Sequence, residues 1–201
     1  MQSRSVANVG REKVFTRSED AAHALIHGAG LIFGLGALVV LVIRAAGKSS
    51  ALSVFSCGLY GATLVSLYAT STLYHGLRPG RAKQVFEIID HSAIFLLIAG
   101  TYTPFTLVTL RGSWGWSLFC TVWGLAVAGV ILEVVGRRRV RRLRLPLYLA
   151  MGWIGVIAAR PLLQKLPPSA LTLLLAGGLA YSLGVPFYLW HSLRSVSYTH
   201  L

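Results

Sequence analysis

Residues 88–110 read IIDHSAIFLLIAGTYTPFTLVTL. About 20 consecutive apolar residues let an α-helix cross the hydrocarbon core of a bilayer. This stretch reaches that length, with Asp90 and His91 confined to one end. Pro104 sits inside its apolar body, flanked by Thr101, Tyr102 and Thr103. A membrane helix accepts such a proline as a kink, because neighbouring hydroxyls satisfy the carbonyls that the ring frees. The stretch therefore predicts a kinked transmembrane helix.

Five further apolar segments flank it, at residues 24–43, 51–74, 116–135, 145–159 and 170–190, each ended by a charge, a Gly or a Pro. The segment at 145–159 is the weakest, opened by Pro146 and closed by Arg160-Pro161. It lacks a polar face, which favours a short tilted span over a surface helix. None of the six alternates with the period of a barrel strand. The expected fold is all-α, a polytopic transmembrane helical bundle. Residues 24–190 form the membrane domain, and residues 1–23 and 191–201 form tails.

Composition agrees. Of 201 residues 55% are hydrophobic and 12% charged, half the charge content of a soluble domain. The net charge of +13 lies in short clusters between apolar runs, so it does not form the polar basic surface that nucleic acid requires. Fourteen of the nineteen basic residues fall on one side of the membrane when the six spans alternate, among them Arg78, Arg81, Lys83 and the run from Arg137 to Arg144. That side holds the N-terminus, which is expected in the cytoplasm. The first twenty residues lack the apolar core of a signal peptide. Cys57 and Cys120 both lie in apolar runs and are expected as small buried thiols without a disulfide.

Ionisable side chains at membrane depth are costly and invite a functional reading. They are His27, His75, Asp90, His91 and Glu133, and alternation of the spans gathers all five at the cytoplasmic end. Ser71 and His75 share a helical face at i, i+4, and Asp90 opens the next helix after a short connection. A His, a hydroxyl and a carboxylate so placed suit either a metal with an ordered water or a hydrogen-bond network fastening two helices. His27 and Glu133 are expected to reach interfacial water, and His23 and His191 to be solvated in polar flanks. His91 points about 100° away from Asp90 on a helix and is not expected to share its site.

Three stretches carry a family resemblance: Glu19-Asp20-Ala-Ala-His-Ala-Leu-Ile-His27-Gly28, Ser71-Thr-Leu-Tyr-His75, and Asp90-His-Ser-Ala-Ile-Phe-Leu-Leu-Ile-Ala-Gly-Thr-Tyr-Thr-Pro104-Phe. They resemble the hemolysin III family, which is related to the progestin and adipoQ (adiponectin) receptors. The resemblance implies seven helices, a cytoplasmic N-terminus and a zinc site near the cytoplasmic face. His75 would be a metal ligand, with Ser71 and Asp90 as catalytic groups orienting the metal-bound water. Two further histidines of an H-x-x-x-H pair would come from a seventh helix. Related alkaline ceramidases imply hydrolysis of lipid amides in contact with membrane lipids, and the hemolysin label implies cytolysis instead.

Only six of the seven implied spans are counted. Residues 196–201, Val-Ser-Tyr-Thr-His-Leu, read as the translation of a sequencing-library adapter. With His75 as the sole identified protein ligand, zinc is expected to bind this chain weakly, since catalytic zinc usually takes three protein ligands. A zinc-dependent membrane hydrolase and a non-enzymatic lytic or sensing protein are the two readings. A transporter is disfavoured by the lack of internal repeats.

Overall fold

The computed structural model describes residues 16–47, 50–140 and 143–189. Helix α1 (Arg17–Ala46) is followed by α2 (Ala51–Gly76) and α3 (Arg81–Pro104). A π-helical segment (Phe105–Leu110) continues α3, and α4 (Gly112–Val140) follows. Next come α5 (Arg144–Trp153), a 3₁₀ segment (Ile154–Ala158), α6 (Ala159–Lys165) and α7 (Pro168–Leu189). Six of the resulting helical stretches are long and apolar enough to cross a membrane, the α5–3₁₀–α6 run serving as the fifth. The described residues contain no strand. The predicted all-α bundle with six spans is therefore present.

Helix α1 starts well before the apolar run because Thr16 and Glu19 form a capping box. The Thr16 side chain accepts from the Glu19 N–H at 3.3 Å, and the Glu19 carboxylate accepts from the Thr16 N–H at 2.8 Å. Two of the donors left over at a helix start are thus satisfied. The 30 residues of α1 make a rod about 45 Å long against a hydrocarbon core of about 30 Å. Its first turns stand in the interfacial layer, and Asp20 and His23 are carried on the helix rather than in a tail.

The third span stays helical through its proline, and its regularity changes there. Beyond Pro104 the chain adopts π-helical pairing over Phe105–Leu110. Hydroxyls do take the local carbonyls: Thr103 Oγ1 donates to Ala99 O at 3.0 Å, and Thr106 Oγ1 lies 3.0 Å from Tyr102 O and 3.1 Å from Thr103 O. Arg111 and Gly112 then turn the chain with φ of 45° and 68°. The fifth span runs further than predicted, to Lys165. Pro161 falls in the first turn of α6, where its missing N–H is not needed. The 3₁₀ break ahead of it is pinned by Tyr102, whose hydroxyl donates to Gly152 O at 2.7 Å and accepts from Gly155 N at 3.0 Å.

Between α3 and α4 lie fully buried Phe95, Ala99, Val122 and Ala126. Outside, α1 and α7 present large apolar side chains such as Ile32, Phe33, Leu173 and Leu175, the surface a lipid solvent favours. Cys57 is half-buried; Cys120 is exposed on α4, contrary to the expected burial, and both are free. Close helix approach depends on small residues. A Cβ added at Gly129 would stand 2.5 Å from the Phe95 ring, which is fully enclosed and cannot retreat. Gly129→Ala is expected to destabilise the bundle by about 1–3 kcal/mol, read as a lower thermal midpoint in detergent. Gly124→Ala is the control, because its Cβ would meet nothing within 4 Å.

Candidate metal centre at one end of the bundle

Antiparallel spans bring the start of α1, the end of α2 and the start of α3 to one end. His23 and His27, separated by one helical turn on α1, both face His75 in the last turn of α2. The ring centroids are 6.5 Å apart for His23–His27, 4.8 Å for His23–His75 and 5.7 Å for His27–His75. One candidate ligand atom from each residue lies within 4.8 Å of the other two, and all three residues are half-buried. Tyr68, one turn below Thr72 on α2, supports His27 at a centroid distance of 6.1 Å.

Asp20 bridges the three helices at this end. Its Oδ1 lies 3.0 Å from His75 Nδ1, and its Oδ2 accepts from Lys83 Nζ of α3 at 2.5 Å. A carboxylate only accepts, so Nδ1 of His75 carries the hydrogen in this contact. Lys83 also lies 5.3 Å from the centre of the Tyr74 ring.

One turn further into the bundle, the Ser71 hydroxyl lies beside the Asp90 carboxylate, and both residues are buried. Asp90 Oδ1 is enclosed and without a hydrogen-bond partner. Ser71, His75 and Asp90 are therefore brought to the same end, as the spacing predicts, but Asp90 is not one of the side chains that gather around His75 within metal-ligand reach. His91 turns away, its Nδ1 2.6 Å from Glu87 O.

Two expectations are overturned. Glu133 does not reach water: it is 1% exposed and held by Arg144, whose Nε donates to Oε2 at 2.7 Å and whose Nη2 donates to Oε1. Beside this pair the Tyr148 hydroxyl donates to His91 O at 2.8 Å. Nor is His23 a solvated flank residue; it packs on His75. The overlooked signal was Thr16-x-x-Glu19, a capping box that extends the helix through His23 and so creates an H-x-x-x-H pair with His27. His191 and the tail from residue 190 onward lie outside the described residues, as do Arg141 and Arg142.

The donor set fits the zinc that the resemblance implies. Imidazole suits zinc and its neighbours among divalent metals. Nitrogens on a tetrahedral ion with bonds of 2.0–2.1 Å lie about 3.3 Å apart, a modest closure from the present spacing. His27 Nδ1, moreover, is buried with no hydrogen-bond partner.

Comparison with known proteins places this geometry in context. A family model described as Haemolysin-III related matches residues 15–199. Hemolysin-3 of Bacillus cereus is 43% identical over 175 residues, spanning 87% of this chain and 80% of that protein. The Hemolysin-3 homolog of Bacillus subtilis (strain 168) is 42% identical over 177 residues, 88% of this chain and 83% of that protein. No solved structure matches.

Proposed function

The chain belongs to the haemolysin-III-related family, a multi-pass protein of the cell membrane, and from that premise we propose that it is a zinc-dependent hydrolase of lipid amides. The observation that carries the reading is the buried Asp90 carboxylate with an unpartnered oxygen, set beside Ser71 and one turn from His75. A bound divalent metal supplies an acidified water and polarises a carbonyl. Asp90 is positioned to hold the proton released from such a water, and Ser71 to orient that carboxylate. His75 contributes a neutral imidazole whose tautomer Asp20 sets. Leu25 and Ile26, 76% and 67% exposed, flank the histidines on α1. An acyl chain lying in the bilayer thus has apolar surface next to the polar site. The excess of basic residues at this end supports a cytoplasmic position for it.

The second reading, cytolysis or membrane sensing without catalysis, is favoured by the printed names of the relatives, both called hemolysin-3. His75→Ala separates the two. Purified protein in lipid nanodiscs is assayed for fatty-acid release from a ceramide, alongside red-cell lysis. The hydrolase reading requires the amide activity and bound metal to disappear together. Lysis that survives unchanged, with no amide cleavage by the parent protein, supports the second reading.

A further inference from the structure

We propose that a groove on the lipid-facing side of the bundle, near the end opposite the histidines, binds an anionic phospholipid. One acyl chain lies between α4 and the fifth span, and the headgroup phosphate is met by Arg111 and Arg160.

The groove follows from the spacing of its two walls. On α4, Trp114, Ser117, Leu118 and Thr121 line one side, the helical spacing that puts them on a single face. Across from them stand Ile154 and Ile157 of the 3₁₀ segment, whose three-residue turn stacks their side chains in one narrow row. The space left open is about 130 Å³, near the size of about 150 Å³ that accepts a benzene-sized apolar body. Within a bilayer the surrounding solvent is acyl chain. Water does not suit the space, since it needs about two to four polar partners and the Thr121 hydroxyl is already donated to Ser117 O at 2.8 Å. An empty groove would forfeit dispersion contacts along both walls. Chain packing alone gains little over free lipid, so selectivity has to come from the headgroup.

The mouth of the groove supplies it. Ile154, Ile157 and Arg160 follow one another at three-residue spacing, which sets Arg160 one turn beyond the groove on the same face, toward the membrane surface. Trp114 stands in the first turn of α4, at the level where an amphipathic ring settles at the interface, and Arg111 precedes it by one turn. Arg111 takes a φ of 45°, a backbone conformation that glycine or asparagine adopts at less cost. Its Nε donates to Val108 O at 3.0 Å, and its terminal amino groups remain for a phosphate. The connections at this end hold Arg44, Lys48, Arg111, Arg160 and Lys165 and no carboxylate. Lys165 is engaged with Leu110 O. Arg111 and Arg160 thus stand by the groove with no acidic side chain in the connections on their side of the membrane, and a lipid phosphate provides the missing charge.

The test is lipid retention by the full chain in detergent, read by native mass spectrometry. The protein is offered equal amounts of phosphatidylglycerol and phosphatidylcholine with the same acyl chains. The parent is expected to keep phosphatidylglycerol in preference, with each arginine contributing about fivefold, the factor for a basic residue beside an anionic lipid surface. Arg111→Gln and Arg160→Gln should each lower phosphatidylglycerol retention about fivefold, and the double variant about 25-fold, with phosphatidylcholine unchanged. Arg160→Lys should keep most of the preference. Ile157→Trp fills the groove and should lower retention of both lipids at least about fivefold. Arg44→Gln, at the same end on α1, and Val39→Trp, on the exposed face of α1, should change neither. All the substituted side chains are exposed, and the parent's choice between the two lipids needs no variant. Equal retention of the two lipids by the parent overturns the proposal. So does phosphatidylglycerol retention that survives both Ile157→Trp and the double arginine variant. A parent that runs as a lipid-free dimer and becomes monomeric in Ile157→Trp assigns the groove to a second copy of the chain, which overturns it too.

Discussion

On the proposed hydrolase reading, Asp90→Asn is expected to lower amide hydrolysis by about 10²–10⁴-fold, the range for loss of a positioned general acid–base group, while any zinc content stays at the parent level. The two readouts part because Asp90 lies outside the group of imidazoles. Asn keeps the shape and the neighbouring Ser71 hydroxyl but accepts no proton from a water. Thermal stability is expected to hold or rise. Asp90 is 8% exposed with Oδ1 unpartnered, and a buried polar oxygen without a hydrogen bond costs about 1–3 kcal/mol. On the proposed reading, that cost is the stability given up for a working site. Metal analysis, fatty-acid release and thermal melting on one preparation decide the matter. Zinc lost in parallel with activity would make Asp90 a ligand. A large fall in melting temperature would make it structural.

How far the sequence could be read follows from which facts are local to one helix. The run at 88–110 carried its own length, its proline and its hydroxyls, so the third span and the hydroxyl pairing around its proline were legible. The same holds for Ser71 and His75, one turn apart on α2. The meeting of His23 and His27 with His75 was not legible, because it depends on the packing of α1 on α2. Its local half, the H-x-x-x-H pair, was hidden by treating residues up to 23 as a tail although Thr16 and Glu19 already announced the helix start. Glu133 failed for a different reason. Proximity to a span end suggested water, yet Arg144, eleven residues on and across a basic connection, folds back to pair with it. Counting Arg144 only as an orientation charge missed that it neutralises a carboxylate at membrane depth.

That pair yields the other large effect. Arg144→Met is expected to destabilise the bundle by about 3–5 kcal/mol, because it strands a carboxylate that is 1% exposed without its counter-charge. Glu133→Leu alone is expected to cost less, since Arg144 is 13% exposed and its long stem can carry the guanidinium toward the interface. The double variant Glu133→Leu/Arg144→Met should recover most of the loss. Well-packed apolar replacements of a buried ion pair are often neutral or stabilising, and Tyr148 and Phe95, with ring centres 4.5 Å apart, already line this region with apolar surface. Thermal melting of the three variants in one detergent gives the cycle. A double variant as unstable as Arg144→Met would show that the loss comes from packing around the arginine stem. A stable Arg144→Met protein would mean that Glu133 finds another partner, and α5 would then be held by the Tyr148 hydroxyl at His91 O of α3 and by apolar packing.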